Sequence, residues 1–335
     1  MKRVIKSLSV IVVAAFALLA TACNKDAEAH YFGEYSDLKP GLAIYNATST
    51  QQLVSLDPAA VAIRLAMLLD EAASKGVAMD EVEVQLSGRN HLLKDLLFGR
   101  TVKIEALVEE GEISAPEEYR ITYVNTPPAS LDRYCREGSY LVATHGVSLA
   151  ESSAESPWSV TPVEPMYLYA GLGDAERFMI KGGVVRLYAT AAGSYAICLE
   201  GMKASFEVSE RFTSAWSGEF TLTTSTTTGN FAFSNHHKDT FALWGEAEGR
   251  TFYAFDNRST THMHYRVEES DRLKWEPSKT GSLSEVVSGV EHCRLTHPEE
   301  YSAALYPSPE VTVSHTTEEG RVTRTLLYNG LTMPF

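Results

Sequence analysis

His262 and His264 flank Met263, and His236 and His237 lie a short way before them. On a β-strand residues i and i+2 share a face, so such a pair offers two imidazoles in one direction, which is how a divalent-metal site begins. The same alternation sets Met263, Tyr265 and Val267 on the opposite face. That apolar face belongs inward, which leaves His262, His264 and Arg266 toward solvent, with a guanidinium where a cation would have to sit. No metal is expected there, nor at His292 and His297 on either side of Cys293. Trp158, Trp216, Trp244 and Trp275 would serve as sugar-stacking platforms if exposed, but a strand tryptophan is more often core.

A serine nucleophile is the second chemistry to test. Ser36-Asp37-Leu38-Lys39 has the spacing SxxK, Tyr123-Val124-Asn125 the spacing YxN, and Lys279-Thr280-Gly281 reads KTG, the order used by penicillin-interacting enzymes. The serine of that motif must open a helix so that its lysine lies one turn on, and Pro40-Gly41 is expected to break any helix there. Lys279-Thr280-Gly281 follows Pro277 in what reads as a turn. The chain has no GxSxG, HExxH, P-loop or EF-hand loop, and Gly171-Leu172-Gly173 lacks the third glycine of a dinucleotide site. Paired carboxylates for glycoside hydrolysis stay open, because 43 acidic residues offer many pairs and only geometry separates them. No catalytic residue, metal or cofactor is assigned.

The cysteine with a chemical reading is Cys23. A basic start (Lys2, Arg3, Lys6) and an apolar run over 10–19 lead into Ala20-Thr21-Ala22-Cys23. This reads as a signal peptide over 1–22, whose apolar run is too short to span a hydrocarbon core of roughly 30 Å. The small residues before Cys23 resemble the lipobox of bacterial lipoproteins, with Ala20 where leucine is usual. Residues 23–40 then read as a lipidated tether, polar and partly acidic, and the acidic residues after Cys23 resemble the surface-export signal of Bacteroidota lipoproteins. The expected location is the outer membrane, lipid-anchored, with either face of that membrane open to it and the membrane as first partner. Removing 1–22 deletes three basic and no acidic side chains, so the net charge of −14 becomes −17. Such a surface repels phosphate backbones, which excludes nucleic acid as a partner. Cys135, Cys198 and Cys293 are an odd set without a CxxC; at most one disulfide forms among them, and small buried strand residues are the expected reading, above all for Cys198.

The elements behind these residues read as mainly β, with one helix. Residues 58–75 are rich in Ala, Leu and Met, with Asp57 as N-cap, Pro58 at the first position and Gly76 as the stop; a buried strand pair is the alternative. Strands are expected over 82–86, 102–108 and 119–125. Later come hairpins: 184–190 with 194–200 across Ala191-Ala192-Gly193, then 219–225 with 230–234, 240–246 with 251–256, and 311–315 with 321–328. Between 147 and 165 the composition turns to Ser, Glu and Pro, marking a boundary between an N-terminal β-rich domain (41–150) that holds the helix and a C-terminal antiparallel β domain (160–335). Two antiparallel sandwiches, transthyretin-like or immunoglobulin-like, are the expected architecture.

This arrangement resembles the fimbrial anchor and accessory lipoproteins of Bacteroidota, which carry two transthyretin-like sandwiches. The residues that carry the likeness are 194–202 followed by 206–220, with Ser217-Gly218-Glu219 opening a strand. The helix at 58–75 departs from it. The resemblance implies a non-catalytic role, tethering or capping surface-polymer subunits by strand addition at an open sheet edge. A lipoprotein that captures an extracellular ligand or glycan is the alternative expectation, and an envelope hydrolase the third.

Overall fold

The computed structural model describes residues 38–50, 52, 55–77, 83–86, 89–92, 98, 101–107, 116–126, 135–163, 165–169, 177–206, 212–224, 240–253, 259–277, 284–296 and 308–334. It is mainly β and antiparallel, with one long helix near the N-terminal end. Cys23, His236, His237, His297, Lys279-Thr280-Gly281, Gly171-Leu172-Gly173 and the expected strand at 230–234 lie outside the described residues.

A short hairpin of β1 (Glu83–Leu86) and β2 (Arg89–Leu92) stands apart. All other strands join one sheet of fifteen, and neighbours in space are neighbours in sequence. It runs from β3 (Lys103–Leu107), β4 (Glu118–Thr126) and β5 (Cys135–Ala143) through β6 (Trp158–Pro162) and β7 (Met166–Tyr169). These last two are successive pieces of one broken strand, since both pair with β5 and with β8 (Arg177–Ala191). Next come β9 (Ser194–Phe206), β10 (Phe212–Thr224) and β11 (Phe241–Tyr253). A second broken strand, β12 (Ser259–Val267) with β13 (Leu273–Pro277), lies between β11 and β14 (Ser284–Thr296). Then β15 (Glu310–Glu318), β16 (Arg321–Tyr328) and β17 (Leu331–Pro334) complete the sheet.

One face of this sheet is apolar and buried and the other is wet, as period-2 alternation dictates. Val185, Leu187, Ile197, Leu199, Phe220, Leu222, Tyr265 and Val313 are all buried, while Arg186, Glu200, Glu219, Glu246, His262 and Arg294 between them are not. Helix α1 (Lys39–Tyr45), a π-helical turn (Asn46–Thr50) and helix α2 (Asp57–Lys75) lie on the buried face. Every residue of α2 from 57 to 68 is buried, so the helix has neighbours on all sides, which a flat sheet touching one face would not supply. The helix packs against β6 and β8 of the sheet. Beyond Leu68 the helix emerges, and there Glu71 and Lys75 form an i,i+4 ion pair at 2.9 Å.

Four sequence expectations are corrected. Asp57 does not cap α2: the N-cap is Leu56, without a side-chain bond, and Asp57 begins the helix with its carboxylate spent elsewhere. Gly76 does stop it, at φ 64, where a left-handed residue closes the last turn. Pro40-Gly41 does not break a helix but opens α1, because in the first turn the amide that proline lacks has no partner to lose. The hairpin expected between 240–246 and 251–256 is one continuous strand, β11. Gly249 is there for space: a Cβ on it would come within 2.6 Å of the Trp216 indole on β10. Ser217-Gly218-Glu219 likewise does not open a strand but sits at a bulge inside β10.

The Ser- and Pro-rich stretch is an ordered corner of the same sheet. Ser148 and Glu151 form a reciprocal capping box around the short 3-10 turn Leu149–Glu151. Ser152 Oγ donates to the Leu149 carbonyl at 2.6 Å and accepts the Ala189 amide at 3.1 Å, and the Trp158 indole donates to the Val147 carbonyl at 3.0 Å. Strands on both sides of the corner share one sheet and one apolar core.

Candidate functional site: two buried carboxylate networks

Strand β14 presents Glu291, Cys293 and Leu295 inward and His292 and Arg294 outward. Its neighbour β15 presents Val311, Val313 and His315 inward. Two polar side chains therefore enter the core on the apolar phase of their strands. His315 Nε2 meets Glu291 Oε1 at 2.7 Å, with both side chains about 2–3% exposed. The same carboxylate accepts the Tyr45 hydroxyl from α1 at 2.8 Å, the Ser49 hydroxyl from the π-helical turn at 2.8 Å and the Tyr265 hydroxyl from β12 at 2.8 Å. Four donors from four elements fill a group that offers about four lone-pair directions.

Burial alone pushes the Glu291 carboxyl up. The hydrogen bond and charge of His315, with the hydroxyls of Tyr265 and Ser49, outweigh it and hold the group below the ordinary carboxylate range. The phenols of Tyr45 and Tyr265 are pushed well above theirs, first by burial and then by the Glu291 charge. The Cys293 thiol moves up for the same two reasons.

A second network anchors α2. Asp57, buried at the start of the helix, is gripped by two nitrogens of Arg136 on β5, Nε at 3.1 Å and Nη2 in closer contact, and by the Tyr140 hydroxyl at 3.1 Å. The Arg136 guanidinium also lies 5.7 Å from the centre of the Tyr123 ring. Burial and the Asp57 charge raise the Tyr140 phenol well above its usual range.

Glu291 and His315 are the kind of acid–base pair a hydrolase uses, and Cys293 adds a sulfur nearby. The arrangement is not that of a nucleophilic triad. With a carboxylate on one imidazole nitrogen, the other must reach the nucleophile, and His315 Nδ1 has no hydrogen-bond partner among the described residues. A nucleophilic cysteine needs its pKa lowered, and Cys293 is shifted the opposite way. What the pair does in this geometry is mechanical: it fastens α1 and the π-helical turn to the inner face of the sheet.

The other sequence candidates fall into place around this core. His262 and His264 face solvent while Met263, Tyr265 and Val267 are buried, as alternation requires; His264 lies 3.3 Å from Glu246. His292 is on the outer face, 3.4 Å from the Thr312 hydroxyl. Trp158, Trp216 and Trp275 are core, and Trp275 stacks on Phe241 at 4.7 Å between ring centres. Trp244 is half-buried, with Arg272 5.2 Å from its ring centre. Lys39 starts α1 and Tyr123 lies in the core face of β4, so neither assembles a serine site with the other. Cys135, Cys198 and Cys293 lie on three different strands, β5, β9 and β14. Cys198 corrects the expectation of full burial: it takes the outer phase of β9, opposite Glu219 and Arg186, and is partly exposed. Among the described residues no group of three His, Cys, Asp or Glu side chains has the placement of a metal site.

Glu291, His315 and Arg136 were not singled out in the sequence, and Asp57 was read there only as a helix cap. A signal for the first two was available: Glu291 shares the strand phase of Cys293 and Leu295, and His315 that of Val311 and Val313. No family model matches this chain, and neither the curated proteins nor the solved structures contain a match.

Proposed function

We propose that this chain is a non-catalytic envelope lipoprotein, held at the outer membrane through Cys23, whose folded body works by contact as a structural or adhesion subunit. The observation that carries the reading is the fate of the Glu291–His315 pair. It is sealed in the core, with the carboxylate's acceptor capacity taken by protein donors, so it supports the fold instead of presenting an acid and a base to a substrate. What the molecule offers outward is a broad charged sheet face and strand edges, and a strand edge recruits a partner strand through main-chain hydrogen bonds. The tryptophans give less support to glycan capture, since three of the four are core.

The test is metabolic labelling with radioactive palmitate, followed by protease shaving of intact cells. Label in the wild-type chain, its loss in Cys23→Ala, and release of body peptides by shaving are the expected results. A wild-type chain that is unlabelled and soluble would remove the anchor from the proposal. A chain that is labelled but protected from protease would confine it to the inner side of the outer membrane and end the adhesion reading.

A further inference from the structure

The two buried networks grip the chain at different points. The Glu291 cluster holds Tyr45 and Ser49, and the Asp57–Arg136 pair holds the start of α2. The segments they hold differ in what else keeps them in place. α2 is buried without interruption from 57 to 68. The segment 38–50 buries only Leu38, Leu42, Ile44 and Ala47 among its apolar residues, and it includes a π-helical turn, an uncommon and less favourable geometry. It also carries buried polar groups at a cost: among the described residues the Thr48 hydroxyl has no partner, nor has either polar atom of the Gln52 side chain just beyond. Two of its side chains, Tyr45 and Ser49, bond to Glu291.

We propose that residues 38–50 form a detachable strap, a cooperative unit that leaves the sheet while α2 and the strands stay folded, with the Glu291 cluster as its fastening and Asp57–Arg136 as its stop. The functional consequence rests on the anchoring reading above. A pull on the body of a chain held at Cys23 arrives from the N-terminal side of the strap, so the strap is loaded before α2. Opening it as far as α2 adds at most about 60 Å of extended chain between membrane and body. The strap would thus let the body reach or yield under load without unfolding.

The groups facing the fastening are Tyr45 from α1, Tyr265 from β12, Cys293 and Glu291 itself from β14, His315 from β15 and Arg324 from β16. Hydrogen exchange read by mass spectrometry tests the strap on the full mature chain, acylated in detergent and again as Cys23→Ala. The Cys23→Ala form answers for the strap whatever becomes of the lipid. In the otherwise wild-type chain, amides of 38–50 should exchange at least about tenfold faster than those of 57–68. Tyr45→Phe and Ser49→Ala, which each remove one bond to Glu291 from the strap side and leave the His315 contact in place, should each widen the gap by up to about another tenfold, leaving 57–68 unchanged. Equal exchange of 38–50 and 57–68, or a variant that speeds both together, would overturn the proposal.

Discussion

At the scale of single residues the two carboxylates do the work that a polar core group does best, which is to tie elements distant in sequence into one arrangement. Glu291 is bonded to Tyr45 across 246 residues and Asp57 to Arg136 across 79. Such groups make stability depend on pH in a direction that can be worked out. The Glu291 carboxyl is held below its unfolded value of about 4.3, so the stability it contributes is fully present above that pH and is lost as pH falls through the lower folded value. Tyr45, Tyr140 and Tyr265 are raised well above 10, so their share is present below the unfolded value of about 10 and is lost as pH climbs beyond it. Urea unfolding from pH 3 to pH 11 should therefore show a plateau through neutrality with a fall on each side. Glu291→Gln should lower the plateau by about 3–5 kcal/mol, because it leaves His315 without its carboxylate, and should flatten the acid limb. An acid limb of the same steepness in that variant would remove Glu291 from the account.

At the scale of elements, alternation made most of the sheet legible before the structure. The inward phase of Met263, Tyr265 and Val267, the hairpin at Ala191-Ala192-Gly193 and the helix stop at Gly76 each follow from a local signal that nothing tertiary overrides. The failures share a cause, which is that a residue's local preference has more than one use. Glycine in 240–256 reads as a turn, yet Gly249 sits mid-strand to admit the Trp216 ring from the neighbouring strand, a reason invisible along the chain. Asp before Pro reads as a cap, yet Asp57 is committed to Arg136, whose position depends on a strand some 80 residues away. Proline reads as a helix breaker, yet Pro40 falls where a helix tolerates it. Gly249→Ala puts the close approach to a direct test. The added methyl meets the face of a fully buried indole, so the variant should lose about 1–3 kcal/mol in urea unfolding with a change in near-ultraviolet circular dichroism from the displaced tryptophan. Neutral stability would mean that Trp216 has room to retreat and that packing does not explain this glycine.

At the scale of the whole molecule, hairpins were visible in the sequence but the way they join was not. Each hairpin is closed by a local turn, whereas the pairing between successive hairpins depends on which edges meet after collapse. The observed answer is an up-and-down order in which β5 and β8 are bridged by the broken strand β6 and β7. The Ser- and Pro-rich corner lies inside that bridge, so the strands before it give α2 its Arg136 anchor and the strands after it continue the same buried face. Neither portion then has a complete core by itself. Cutting the chain between Ser153 and Ser156, within the exposed turn, leaves a piece ending before β6 and a piece starting with it. Expressed separately, these pieces should lack a cooperative thermal transition, because the cut separates strands that share one sheet and one apolar core. Co-expressed, they should associate and recover one cooperative transition, since the cut removes no strand pairing and only the loop tip. Two fragments that each melt cooperatively alone would show instead that the corner joins two self-sufficient domains, and that the continuous sheet is an interface between them.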